Sequence, residues 1–477
     1  MAPRTMWAGN NAYAYMPMSK YDWRCSSDGG EVAASRAERD RMGRHEMTTT
    51  AMTPQVASGR AYAGYVLFLL VLVNMMNSVD RAVVNILAEP IRKDLGFSDT
   101  QIGLIGGLGF ALVYGLFGIP IARVADRGNR KILLATGLAA WSAMTIVTGR
   151  ATGFWSMLLA RFGVGAGEAT CYPSSLSLIA DYFRPEQRPR AIALFQIGLH
   201  LGFILGAAVA SLIAERHGWR AAFTVLGLPG IVLALIMLLT LREPKRGALD
   251  GPGVSRGQDA GFIETVRLLF ADRPFLFLVL AGTFMSLGTA SMANWGAAYM
   301  MRSHGMTQGE VGVILGPVMG IGGLVGTLVG GVLGTMVAKR DPRPYAPLLV
   351  MLFTALPAIP AIVLFLLAPT VSLAVVGGLF GGVLTSMHYG SLIAVALGRI
   401  PSVRRGMASS ILILGQTVIG FGMGPLIVGA ISDGLSGGLG SESLRYAMLI
   451  APLAVLTGWS LTFFTWRRLK VVDSLAA

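Results

Sequence analysis

From Ala61 onward the chain is a succession of long apolar runs separated by short polar segments. The runs do not alternate between apolar and polar residues, as the strands of a membrane β-barrel would. Each run is long enough to cross about 30 Å of hydrocarbon as an α-helix. The pattern therefore predicts twelve transmembrane helices, over residues 61–89, 98–122, 130–149, 153–181, 189–214, 219–241, 274–301, 309–337, 345–367, 371–398, 404–432 and 444–466.

The runs fall into two sets of six, separated by a polar, glycine-rich segment. We expect four parts: a disordered basic cytoplasmic tail (1–60), an N-terminal six-helix lobe (61–241), a cytoplasmic linker (242–273) and a C-terminal six-helix lobe (274–470). Near the end of the linker, from Phe262 to Phe270, the apolar residues share one helical face. This spacing predicts a short amphipathic helix on the membrane surface.

A sequence repeat relates the two sets of helices. The two copies lie 218 residues apart and read Gly202-Phe203-x-x-Gly206 with Ile213 and Glu215, then Gly420-Phe421-x-x-Gly424 with Ile431 and Asp433. A second match relates residues 124–130 to residues 337–343. Parallel six-helix repeats are typical of two-lobed transporters that bind substrate between the lobes. The predicted fold is therefore an all-α membrane protein with two pseudo-symmetric lobes.

Composition and charge agree with a membrane protein. The chain is 53% hydrophobic and only 13% charged, whereas soluble domains carry about 25% charged residues. Every second loop, with its adjoining helix ends and the C-terminus, holds 22 Lys and Arg in total, and the other loops hold 7. Because basic loops stay in the cytoplasm, both termini are predicted to be cytoplasmic. We expect a multi-pass protein of the cell membrane, the inner membrane of a bacterium, and no nucleic-acid partner.

Four ionisable residues lie well inside the predicted helices: Asp80, Arg81, Arg161 and Glu168. Each would cost about 2.5–3.5 kcal/mol at the centre of an unpartnered membrane helix, so they must pair or face a polar interior. Arg161 and Glu168 share a helix face but lie about 10 Å apart along its axis. A residue of the first helix would bridge them, which pairs either Asp80 with Arg161 or Arg81 with Glu168.

The two carboxylates, Asp80 and Glu168, are candidates for proton coupling. Low dielectric favours the neutral acid, and a nearby arginine favours the anion. If substrate binding or lobe movement changes the distance to the arginine, protonation becomes coupled to conformation. The alternative is that the four charges only form an ion-pair cluster that packs the helices.

Four residues are candidates for binding substrate. Arg81 and Arg161 offer bidentate donors to a phosphate or carboxylate, unless their own carboxylates already satisfy them. Trp295 and Tyr299 in the seventh helix are placed to line a cavity. For these two aromatic residues the alternative is ordinary packing.

The sequence lacks the motifs of several other functional classes. No GxxxxGK[S/T] sequence occurs, which argues against ATP-driven transport. We find no paired histidines and no Cys–His combination inside the membrane, and only two cysteines, Cys25 and Cys171, in the chain. We therefore expect no enzyme activity, no cofactor and no metal site.

Several motifs resemble the major facilitator superfamily. They are Asp126-Arg127-Gly-Asn-Arg130 after the second helix and Arg161-Phe-x-x-Gly165-x-Gly167-Glu168 in the fourth. Asn77-x-x-Asp80-Arg81 is similar to the Spinster branch, which is associated with sphingolipid and lysophospholipid export. The resemblance implies alternating access by a monomer. It also implies a cytoplasmic inter-lobe latch of Asp126, Arg127 and Arg130, for which the alternative is ordinary positive-inside charge.

Together these features predict a secondary active transporter that works by alternating access, is coupled to protons and moves an amphipathic lipid-like or organic anionic substrate. Its partners would be a small-molecule or lysolipid-like substrate, protons and membrane lipids. Two alternatives stay open. One is a small carboxylate or sugar permease of the same superfamily, and the other is a non-transporting membrane sensor.

Overall fold

The computed structural model describes residues 59–246, 249, 262–401 and 404–476. These residues are helical almost throughout, and no strand occurs among them. The predicted all-α membrane fold is therefore confirmed. The predicted tail, 1–60, lies almost entirely outside the described residues, as does most of the segment 247–261.

We refer to residues 59–246 as the N-terminal half and to residues 262–476 as the C-terminal half. The α-helices of the first are α1 (Arg60–Ile86), α2 (Ala88–Leu95), α3 (Asp99–Gly103), α4 (Gly109–Arg127), α5 (Arg130–Thr148), α6 (Phe154–Glu168), α7 (Cys171–Tyr182), α8 (Arg188–His217) and α9 (Trp219–Thr240). Those of the second are α10 (Phe262–Ala271), α11 (Arg273–His304), α12 (Gln308–Arg340), α13 (Leu348–Leu367), α14 (Val371–Ser386), α15 (His388–Gly398), α16 (Arg405–Leu414), α17 (Gly424–Leu439), α18 (Ser443–Ala447) and α19 (Ile450–Ala476).

Ten stretches among the described residues are long and apolar enough to cross a membrane. Two departures from the predicted pattern explain the difference from twelve. The predicted run 153–181 is divided into α6 and α7, and the runs 404–432 and 444–466 fall within one apolar stretch, Arg405–Val471. The count of twelve crossings stays a prediction. Helix α10 coincides with the predicted amphipathic helix, and its place on the membrane surface also stays a prediction.

One seam between the halves is formed by α8 and α12. Gly312 of α12 lies so close to α8 that a Cβ there would be 2.0 Å from the Ser211 hydroxyl oxygen. It would also be 2.6 Å from the carbonyl oxygen of Ala207. Both distances are far below a normal contact, so the seam depends on a glycine at this position.

The second seam brings the stretch containing α3 and α4 against the stretch containing α16 and α17. Each stretch contains a π-helical segment, Leu104–Leu108 in the first and Gly415–Met423 in the second. A Cβ at Gly107 would lie 2.5 Å from the carbonyl oxygen of Gly422. π-Helical turns are rare in proteins, and those that occur often lie at functional sites. Both helical stretches of this seam therefore depart from regular α-helical geometry where they meet.

Polar contacts join the two halves at one end, which we call the joined end. Arg302, near the end of α11, forms ion pairs with Glu89 at 2.6 Å and with Asp99 at 2.7 Å. Burial raises the pKa of Glu89, but the hydrogen bonds from Arg92 and Arg302 outweigh burial and bring that pKa below its usual value. Glu89 is therefore ionised at neutral pH. Beside it, Gln308 Nε2 donates to the carbonyl oxygen of Ile86 at 3.0 Å.

The glycine seam generates a prediction on two substitutions within the same helix. Gly312→Ala should lower the free energy of unfolding by about 1–3 kcal/mol, because the added methyl overpacks the seam. Gly331→Ala, on the same helix but with nothing within 4 Å of its Cβ, should leave stability unchanged or slightly higher. Thermal unfolding of the two purified variants measures the difference. Equal stabilities would show that the seam is not closed in the purified protein.

Candidate functional site

The four ionisable residues predicted inside the helices, Asp80, Arg81, Arg161 and Glu168, lie on α1 and α6, which neighbouring glycines allow to lie close to other helices. Gly167 of α6 lies against α5, where its Cβ would be 2.8 Å from Cβ of Trp141. Helix α6 ends at Glu168, and α7 begins at Cys171. The close packing removes solvent from this region, so Glu168 and Arg161 are 0% and 1% exposed.

Arg81 and Glu168 form the central ion pair of the site. Arg81 Nη2 lies 3.0 Å from Glu168 Oε2, and Arg81 Nε donates to the same oxygen at 3.1 Å. Asn77 Nδ2 also donates to it, at 2.8 Å. The side chain of Arg81 is 28% exposed, whereas that of Glu168 is wholly buried. The pair therefore connects an accessible cation to an inaccessible carboxylate.

Asp80 and Arg161 lie close to this pair but do not bond to each other in the described contacts. Asp80 Oδ1 instead accepts a hydrogen bond from Thr145 Oγ1 at 2.9 Å. The Arg161 guanidinium lies 5.3 Å from the centre of the Phe110 ring. Its Nε and Nη1 atoms are buried with no hydrogen-bond partner among the described residues, as is Glu168 Oε1. Unpaired buried polar groups are costly, so this arrangement favours a change of partners during function.

Aromatic side chains surround the exposed part of Arg81. Its guanidinium carbon lies 4.9 Å from the centre of the Phe110 ring and 5.3 Å from that of Tyr114. Tyr172 of α7 donates its hydroxyl to Gln196 Oε1 at 3.1 Å. The sequence interpretation missed Tyr114, Tyr172 and Thr145. The four-residue spacing of Phe110 and Tyr114, which puts them on one helix face, was the available signal for the first.

Trp295 and Tyr299 are both packed in the interior in this structure. Trp295 is 1% exposed and donates to the carbonyl oxygen of Pro425 at 2.9 Å. Tyr299 is 0% exposed and donates to the carbonyl oxygens of Phe365 and Leu366, each at 2.9 Å. These bonds give both residues a structural role, and their part in binding substrate stays a prediction.

Arg130, one of the predicted latch residues, is buried. Arg130 is bonded to Asp181 and, at 2.7 Å, to Glu243, both in the N-terminal half. Arg127 is exposed. The Asp126 side chain lies outside the described set, so the latch stays a prediction. In the part of the chain that the structure describes, no group of three His, Cys, Asp or Glu side chains is arranged to hold a metal ion.

The buried pair generates a prediction that a double-mutant cycle can test. Arg81→Ala should destabilise the protein by about 3–5 kcal/mol, because it leaves the buried Glu168 without the cation of its ion pair. Adding Glu168→Gln should restore much of that loss. Arg343→Ala, which removes an exposed pair with Asp341, is the control and should change stability little. Additive effects of the two buried substitutions in thermal unfolding would contradict the pair.

The chain is similar to known transporters along most of its length. The family model described as Major Facilitator Superfamily matches residues 70–425. An MFS-type efflux pump of Mycolicibacterium smegmatis is 34% identical over 387 residues, which cover 81% of this chain and 88% of that protein. A sphingosine-1-phosphate transporter of Danio rerio is 25% identical over 441 residues, which cover 87% of this chain and 84% of that protein.

A solved transporter structure is also similar to this chain. It is that of a bacterial homologue of the human lysosomal transporter Spinster, in an inward-facing and unoccupied conformation. It matches with a TM-score of 0.77 at 29% identity, covering 86% of this chain and 98% of that chain. The chain therefore belongs to the Major Facilitator Superfamily, and within it resembles the Spinster transporters.

Proposed function

We propose that this membrane transporter is coupled to protons and moves an amphipathic anion by alternating access. Membership of the superfamily supports transport itself. The observation that carries the finer proposal is the Arg81–Glu168 pair, in which one partner is accessible and the other is buried. In such a pair the accessible Arg81 can release its bond to Glu168 and bind a ligand instead.

Arg81 is the residue that couples substrate to proton. An anionic head group that accepts hydrogen bonds from Arg81 competes with Glu168 for the same guanidinium. Loss of that partner would leave Glu168 as a buried anion with the Asn77 hydrogen bond but no bonded cation, a state that proton uptake relieves. Anion binding at Arg81 and proton binding at Glu168 therefore support each other. Asp80, the other carboxylate among the four ionisable residues predicted inside the helices, is the second candidate proton acceptor.

Two features favour a head group with several oxygen atoms on an apolar body. The guanidinium of Arg81 presents a planar set of donors that matches phosphate or carboxylate. Phe110 and Tyr114 stand beside it and offer apolar contact. Arg161 is a second cation in the same cluster, with two unpartnered nitrogen atoms. The likeness to a sphingosine-1-phosphate transporter supports a lipid-like anion as substrate.

The predicted orientation places the joined end on the outside. The loops that meet there carry few basic residues, and the loops at the opposite end carry most of them, so the opposite end and both termini would face the cytoplasm. The similarity to a protein solved in an inward-facing conformation supports the same sidedness. The site at Arg81 would then be reached from the cytoplasm.

The proposed coupling predicts the behaviour of two conservative variants. Transport by the native protein in vesicles should respond to an imposed pH gradient. Asp80→Asn and Glu168→Gln should each weaken that response, because neither amide takes up a proton. Glu186→Gln, at an exposed loop position, is the matched control and should behave as the native protein does. If both variants keep the full pH response, proton coupling at this cluster is wrong.

The proposed substrate class predicts which ligands stabilise the purified protein. Lysophospholipids or sphingoid phosphates should raise the unfolding temperature, and Arg81→Ala or Arg161→Ala should abolish that shift. The two variants also separate binding from a detergent effect, which they would not change. Stabilisation only by a small carboxylate or a sugar would contradict the lipid-like substrate and favour a permease. Stabilisation without flux in vesicles would favour a sensor.

A further inference from the structure

Asp433 of the C-terminal half binds the start of a helix of the N-terminal half. Its Oδ1 accepts from the backbone N–H of Asp99 at 2.9 Å, and its Oδ2 from that of Thr100 at 2.8 Å. The Thr100 hydroxyl also donates to Oδ2, at 2.5 Å. Asp99 and Thr100 are the first residues of the membrane span Asp99–Ala125. The carboxylate therefore caps a long helix that belongs to the other half.

Glu215 makes the reverse contact. It lies near the end of α8 in the N-terminal half, and its Oε1 accepts from the backbone N–H of Gly309 at 3.3 Å. Gly309 is the second residue of α12, in the C-terminal half. The approach is close, because a Cβ at Gly309 would lie 2.2 Å from Glu215 Oε2. Each half thus supplies a carboxylate to a helix start of the other.

The two carboxylates are equivalent positions of the sequence repeat. Glu215 ends the first copy of the Gly-Phe-x-x-Gly segment, and Asp433 ends the second, 218 residues later. The two carboxylates therefore occupy the same position in their repeats, and each caps a helix of the opposite half. Duplication of a single ancestral contact accounts for the Glu215 contact and the Asp433 contact.

A helix start favours a carboxylate for two reasons. Its first N–H groups have no partner within the helix, and the aligned peptide dipoles give it a partial positive charge. Here the carboxylate and the N–H groups belong to different halves. Separation of the halves at the joined end would break all four hydrogen bonds to the two carboxylates and expose both helix starts.

We infer that Glu215 and Asp433 are a duplicated gate, a pair of reciprocal helix caps that hold the joined end closed and break when the transporter opens there. The gate acts together with the ion pairs of Arg302. It differs from them in its symmetry, because each repeat contributes one capping carboxylate, with three hydrogen bonds at Asp433 and one at Glu215. It requires neither the proposed substrate nor proton coupling, and it goes beyond both.

Distances between spin labels test the gate in the purified full-length protein. Arg216→Cys and Ser441→Cys place one label on each half, at exposed positions near the joined end. Cys25→Ser removes one native cysteine, and Cys171 is buried. Glu215→Gln and Asp433→Asn should each raise the ratio of long to short distances on the order of tenfold, as expected for loss of a charged hydrogen bond. The double variant should raise it further.

Two neighbouring carboxylates are matched controls. Glu310 also binds the start of α12, but it accepts from Thr307 within the same half, at 2.9 Å. Glu442 pairs with Arg445 within the C-terminal half. Glu310→Gln and Glu442→Gln should leave the distances unchanged. Gly309→Ala, which blocks the approach of Glu215 without removing its charge, should shift them as Glu215→Gln does.

The outcomes separate the inference from its rivals. Distance distributions of Glu215→Gln and Asp433→Asn that coincide with that of the native protein would overturn the gate. So would an equal shift in Glu310→Gln, since the effect would then be one of general surface charge. The distance measurement reports conformation rather than flux. Its result therefore tests the gate independently of the transport experiments.

Discussion

The structure depends on the cost of keeping charge inside a bilayer. An ionised side chain in hydrocarbon needs a partner, and Glu168, wholly buried, finds two in Arg81 and Asn77. These contacts require α1 and α6 to approach closely. The glycines that precede Glu168 in α6 allow the neighbouring helices to close around it. The packing of the N-terminal half thus follows from the placement of its charges, and the same placement makes one cation accessible.

The contacts between the halves obey a different constraint, because they must form and break. Glycines bring the backbones of the two halves close without interlocking side chains, as at Gly312 and Gly107. The polar contacts at the joined end use charges and helix starts, which water can solvate after separation. A seam of large interdigitating side chains would be harder to part, since interiors packed in that way resist movement. The halves are therefore held by contacts that suit a reversible closure.

The local sequence pattern suffices to locate most of the membrane helices. Runs of apolar residues located nearly all the helices, because a membrane helix satisfies its own backbone and needs only length and hydrophobicity. The pattern missed helix breaks inside predicted runs, including those between α14 and α15 and between Glu168 and Cys171. Pro173 lies just beyond the second of these breaks, and a proline lacks an N–H and crowds the carbonyl group four residues earlier, here that of Ala169. Helix α5 also packs closely against this point, since a Cβ at Gly137 would lie 2.1 Å from the Thr170 hydroxyl oxygen.

By itself the sequence determined the membrane class, the two sets of helices, the repeat and the identity of the four buried charges, since all are properties of composition and spacing. It left two pairings open, because the choice between Asp80–Arg161 and Arg81–Glu168 depends on how α1 is rotated against α6. Only the tertiary structure shows that Arg81 pairs with Glu168 and that Asp80 accepts a hydrogen bond from Thr145. Only the tertiary structure also showed that Glu215 and Asp433 face helix starts of the opposite half. Those contacts join residues 94 and 334 positions apart, a relation that no local pattern contains.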